Sequence, residues 1–140
     1  MRRISLILLI VTSTILISCG KPKPIPKVNA TTANKFVLTP HLLGSHWNSE
    51  TVYGNNTLLQ DKEPDIVPAN SKITITFDTP PKENTLAVIY WPSYTGKEFE
   101  RLKLEDNSFT APTEKGTYIY STSGRWAEGN VEYGLKIQVE

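Results

Sequence analysis

Cysteine occurs once, at position 19, so no disulfide can form within the chain and the fold must be held by its apolar core. Histidine occurs twice, at 41 and 46, too few to build a metal centre without carboxylate help. No apolar run reaches the ~20 residues that a membrane-spanning helix needs. No glycine-rich loop is spaced to cradle a phosphate. Gly44-Ser45-His46 is not the Gly-x-Ser-x-Gly elbow of serine hydrolases, because Asn48 stands beyond it. Charge of neither sign dominates the 140 residues, whose formal balance is +1. Nothing concentrates cations as a nucleic-acid surface would, so a nucleic-acid partner is not expected.

What is present starts with the first 35 residues. Met1-Arg2-Arg3 leads into an apolar stretch from Ile4 to Ser18, fifteen residues interrupted by Thr12, Ser13 and Thr14. A positive start, a short apolar segment and a small residue at its end are the parts of an export signal. Leu16-Ile17-Ser18-Cys19 resembles the lipobox of bacterial lipoprotein precursors. That resemblance implies cleavage before Cys19, a diacylglycerol thioether on its sulfur, and acylation (palmitate or a similar chain) of the new amino terminus. Two or more acyl chains anchor a protein stably, whereas one does not. The expected location is the extracytoplasmic face of the cell membrane, lipid-anchored.

Residues 19–35 then read as the lipidated cysteine and a tether. Pro22, Pro24 and Pro26 alternate with other residues, and no hydrophobic period runs through Gly20–Lys35. Proline-rich chain is stiff, so these sixteen residues reach at most about 50 Å. Lys21, Lys23, Lys27 and Lys35 make the tether basic. Of fifteen Lys and Arg, two lie at the start and four in the tether, so nine remain in residues 36–140 against all fourteen acids, a balance of −5. A basic tether favours anionic lipid heads and an acidic body stands off from them.

Residues 36–140 are the length of one domain with one core. Val131, Tyr133, Leu135, Ile137 and Val139 alternate with polar residues, which predicts a half-buried strand. Tyr118, Tyr120 and Trp126 share one parity in Gly116–Ala127, with Glu128-Gly129-Asn130 as a hairpin turn between the two strands. Ile73, Ile75 and Phe77 line one face of Lys72–Asp78. Leu86–Trp91 is apolar on both parities and reads as a central strand. Weaker strands are expected over 98–104, 108–111, 36–39 and 51–53. Many short strands divided by turn residues predict an all-β antiparallel sandwich, monomeric and without a cofactor. Lys115-Gly116-Thr117-Tyr118 resembles the entry to the penultimate strand of immunoglobulin-like domains. The resemblance implies that the Tyr118 hydroxyl closes a corner. The body is also similar to small lipoproteins of Gram-positive bacilli in Gly44-Ser45-His46-Trp47, in Val67–Ile73, and in Gly116-Thr117-Tyr118 with Trp126 and Tyr133. That family implies a sandwich and no settled activity.

Candidate chemistry is sparse. His41 and His46, five apart with Glu50 nearby, could ligate a metal only if the loop folded back. Asp61, Glu63 and Asp65 alternate as calcium ligands do. An EF-hand is excluded, since glycine is missing from the sixth loop position and glutamate from the twelfth, but an irregular calcium site stays open. Glu98 and Glu100 share a strand face ahead of Glu105 and Asp106. Protection of an edge strand explains them more simply than acid–base catalysis. Trp91 and Trp126 are read as core. Trp47, in an expected loop, and Tyr94, after Pro92-Ser93, are the candidate exposed contacts. Three functional classes follow. The favoured one is a non-catalytic surface module that binds a protein or cell-wall polymer. The others are an envelope inhibitor or immunity-type protein and a cell-surface hydrolase.

Overall fold

The computed structural model of the chain describes residues 20–140. The signal segment 1–18 and Cys19 lie outside the described residues. Ten strands form: β1 (Val28–Thr32), β2 (His41–Trp47), β3 (Glu50–Val52), β4 (Asp65–Val67), β5 (Lys72–Phe77), β6 (Ala87–Trp91), β7 (Glu100–Arg101), β8 (Ser108–Thr110), β9 (Gly116–Trp126) and β10 (Gly129–Val139). One 3-10 turn, Asn56–Leu59, is the single helical element among the described residues. The chain is all-β and sandwich-like. A three-stranded sheet in the order β1-β5-β8 packs on a larger one in the order β3-β2-β10-β9-β6-β7. β4 runs parallel to the last residues of β10, and every other pairing is antiparallel.

The long hairpin is the spine. Its register runs unbroken from Trp126↔Gly129 to Gly116↔Val139. Period-two patterning puts Tyr120, Trp126, Val131, Leu135, Ile137 and Val139 into the core, where Ile73, Ile75 and Phe77 of the other sheet meet them. Only Ala127 and Glu128 are unpaired at the tip. Gly129 has φ +150°, and a Cβ there would stand 1.8 Å from the His46 carbonyl oxygen, so no other residue fits. Trp126 is core, as expected, with Phe77 edge-on at 5.0 Å and its Nε1 donating to the Thr79 carbonyl at 3.0 Å. The Tyr118 hydroxyl donates to the carbonyl of Glu114, four residues back, at 2.9 Å. This is the corner that the Gly116-Thr117-Tyr118 resemblance implied.

Two parts of the chain depart from expectation. The first is the tether. Residues 20–35 are not free chain up to Phe36, because Val28–Thr32 is a strand paired with β5 along its whole length, with Val28 and Ala30 in the core. Ahead of it, Ile25 packs against the core and the Pro26 carbonyl accepts from the Tyr133 hydroxyl at 2.8 Å. Lys27 exchanges two hydrogen bonds with Asp78, both 3.0 Å. Proline alternation hid this strand, since Pro22, Pro24 and Pro26 suppress any apolar period just before it. The segment 36–39, expected as a strand, makes one isolated bridge, Thr31↔Val37.

The second departure is His41–Trp47, which is a strand and not a loop. Its register against β10 slips between Glu132 and Tyr133: Gly44 opposes Glu132, Leu42 opposes Tyr133, and Leu43 is the extra residue. A bulge of this kind re-aims a side chain. Leu43 packs on the outer face with Leu59 and Ile119, while Trp47 enters the inner core. The broken alternation left no period-two signal to read.

Candidate functional site

The outer face of the larger sheet carries a second apolar cluster, Leu43, Leu59 and Ile119, with Trp91 and Tyr94 half-buried against it. Trp91 ends β6 opposite Ile119, and that parity turns it outward, so it is not the inner-core residue expected from its sequence. Its Nε1 donates to Ser121 Oγ at 2.9 Å, and its ring lies 5.4 Å from that of Phe99. The loop after β6 is tied by Ser93 Oγ, which accepts from the Gly96 N–H at 2.7 Å, and it carries Tyr94 over the sheet. Lys136 Nζ sits 5.5 Å from the Tyr94 ring centre, a cation–π distance. The same ammonium donates to the carbonyls of Leu59, Gln60 and Lys62, which fastens the chain after the 3-10 turn to the sheet.

The opposite wall is the 3-10 turn. Asn55 caps it, its Oδ1 accepting from the N–H and the hydroxyl of Thr57 at 2.9 and 2.6 Å. Gly54 lets this segment press on β2, because a Cβ there would lie 1.9 Å from the Leu43 carbonyl oxygen. Between the walls is a groove of about 310 Å³ lined by Trp91, Tyr94, Asn55, Asn56, Thr57 and Glu132, among others. Asn56 is buried, and its Oδ1 has no hydrogen-bond partner among the described residues. That oxygen is closed to solvent as well as unpaired, so it weighs on the stability of the turn and is not an open acceptor. Exposed apolar residues follow on the same stretch of chain: Val52, Leu58, and Tyr53 at 92 % exposure. A depression of about 440 Å³ over Arg101, Ser123 and Arg125 is larger, but no aromatic side chain lines it.

The sequence candidates fall out as follows. Tyr94 is in the groove. Trp47 is not an exposed contact: only 6 % of it is accessible, and it meets Trp126 edge-on at 5.8 Å. His41 and His46 both lie on β2, and His46 Nδ1 bonds the Thr51 hydroxyl at 2.7 Å. Burial holds the His41 imidazole below its usual pKa, helped by the Lys62 charge and opposed by Asp65. Asp65 accepts from the Thr39 N–H at 2.7 Å and its hydroxyl at 3.2 Å, so its carboxylate is already in use. Among the described residues, no three His, Cys, Asp or Glu gather as a metal-holding group, and Asp61, Glu63 and Asp65 are not brought together as ligands. Glu100 lies on β7, the exposed edge of the larger sheet, with Glu98 just ahead of it, as the edge-protection reading expects. Trp91 and Asn56 were missed as site residues. The Asn55-x-Thr57 cap was a readable signal for the turn, but nothing local indicated that it would face Trp91.

No family model, curated protein or solved structure matches the chain. The fold and the groove therefore carry the functional argument alone.

Proposed function

We propose that the chain is a lipid-anchored, extracytoplasmic binding module, attached through Cys19, whose groove between Trp91, Tyr94 and the Asn56 turn receives a protein or cell-wall polymer. The observation that carries this reading is the meeting of two half-buried aromatic side chains with the Glu132 carboxylate around one groove. Aromatic faces supply contact area at low entropic cost, and a pre-placed acceptor supplies direction. Glu132 lines the groove as that acceptor, so a ligand rich in O–H or N–H donors suits it. The role is contact and not turnover. One carboxylate beside aromatic faces lacks the second acid–base partner that hydrolysis of a polymer requires.

The test is co-sedimentation of residues 20–140 with purified cell-wall polymer, and capture from envelope extract, for wild type and Tyr94→Ala. Truncating an anchoring aromatic costs ~2 kcal/mol, roughly a thirtyfold loss of affinity. Weakened binding with an unchanged melting temperature supports the site. Equal binding by Tyr94→Ala removes it, and hydrolysis of the polymer by wild type overturns the non-catalytic reading.

A further inference from the structure

We infer that the sandwich is held directly on the bilayer, with the β9–β10 hairpin tip and the β2–β3 turn against the lipid headgroups and the opposite end pointing outward. This rests on the reading of Cys19 as the lipidated residue. The observation behind it is that the supposed tether is already spent.

The carbonyl of Lys23 accepts two hydrogen bonds, from Trp47 Nε1 at 2.8 Å and Asn48 Nδ2 at 3.1 Å. Its ammonium pairs with Glu128 at the hairpin tip, and the Asn48 N–H bonds the Glu128 carbonyl at 3.1 Å. Lys23, Asn48 and Glu128 therefore meet at one end of the sandwich. From there the chain is bound continuously into β1 through Pro26 and Lys27. Only four residue steps separate Cys19 from Lys23, and extended chain covers at most about 14 Å in four steps. Sixteen free residues would have allowed any orientation. Four steps ending on a fixed carbonyl allow one end alone to meet the membrane.

The charges at this end are mixed, with Glu50 beside the β2–β3 turn and Glu128 at the hairpin tip set against Lys23, Lys82 and Arg125. Hydrogen bonding by Lys23, with the further charge of Lys82, holds the Glu128 carboxyl below its usual pKa, so the acid at the tip is compensated by cations. Arg125 lies beside Lys82, whose N–H bonds the Arg125 carbonyl at 2.7 Å. The same geometry sets the height of the groove. Trp91 pairs with Ile119, seven residues along β9 from Trp126 or about 23 Å at strand rise, and Glu132, on the near side of the groove, pairs with Ser123, three residues or about 10 Å from Trp126. A headgroup layer is ~5–8 Å deep on each face. The groove thus stands clear of the lipid yet within reach of a partner close to the membrane surface.

The test uses the full chain, processed and lipidated in a bacterial host, then reconstituted into vesicles containing a headgroup-spin-labelled phospholipid. Acylation consumes the Cys19 thiol, so an introduced cysteine is the only free one. Ala127→Cys at the hairpin tip and Lys115→Cys beside the far end of β9 each take a fluorophore; both native residues are exposed. Quenching at least twofold stronger at position 127 than at 115 is expected. Equal quenching at both positions, in protein that floats with the vesicles, overturns the orientation while leaving the anchor standing. Protein that does not float, with a free Cys19 thiol, overturns the lipid reading and the orientation with it. Ser49→Cys on the β2–β3 turn repeats the measurement at a second proximal site and must be quenched like position 127.

Discussion

The Trp47 indole and the Lys23 carbonyl are joined by a 2.8 Å hydrogen bond that spans 24 positions of the chain. One partner looked like an exposed contact and the other like solvated tether. Together they make the end of the sandwich a closed structure. The bond fastens the incoming arm and seats Trp47 edge-on against Trp126, 5.8 Å away.

The arm is therefore part of the fold. A fragment of residues 36–140 lacks β1 and with it Val28 and Ala30, and it leaves β5 without one neighbour. Burial of a Val side chain alone contributes about 1.5–3 kcal/mol, out of the ~5–15 kcal/mol that holds a domain. The fragment is expected to melt well below residues 20–140, or to lose cooperativity. Equal urea midpoints for the two would show that β1 is an accessory.

Trp126 contacts Phe77 and Trp47 and donates to the Thr79 carbonyl. Trp126→Ala is expected to cost about 3–5 kcal/mol. Trp126→Phe should cost less, since it keeps most of the apolar area and loses the donor. Chemical denaturation of both variants checks the order.

Tyr118→Phe removes one hydroxyl and leaves the ring in place. The lost bond to Glu114 is expected to cost ~1 kcal/mol, as a single neutral hydrogen bond usually does. A midpoint shift within error would mean that water replaces the carbonyl's partner at no cost.

His41 makes stability depend on pH. Its folded pKa lies below the ordinary value of 6.5, so in the window below 6.5 the unfolded chain binds the proton more readily. The contribution is complete above that value and is lost as pH falls towards the folded pKa. Melting temperature should drop more steeply between pH 7 and 5 for wild type than for His41→Gln. Parallel profiles would remove the histidine as the cause.

Local pattern determined much of this protein. Alternation in Val131–Val139 and Lys72–Phe77 specified strands and their buried faces, because side chains on a strand repeat every two residues whatever the neighbours are. The Gly116-Thr117-Tyr118 corner was legible because its bond closes within four residues. Tertiary structure decided the rest. Trp47 became core because a bulge at Leu43 reset the parity of β2, and a register slip depends on the partner strand. The arm became a strand, and Lys23 an anchor, through main-chain groups that carry no residue signature. The groove exists because β6 turns Trp91 to the same outer face on which residues 54–59 are clamped by Lys136. Contacts between residues so far apart in sequence follow from packing, and packing is settled only when the sheets close on each other.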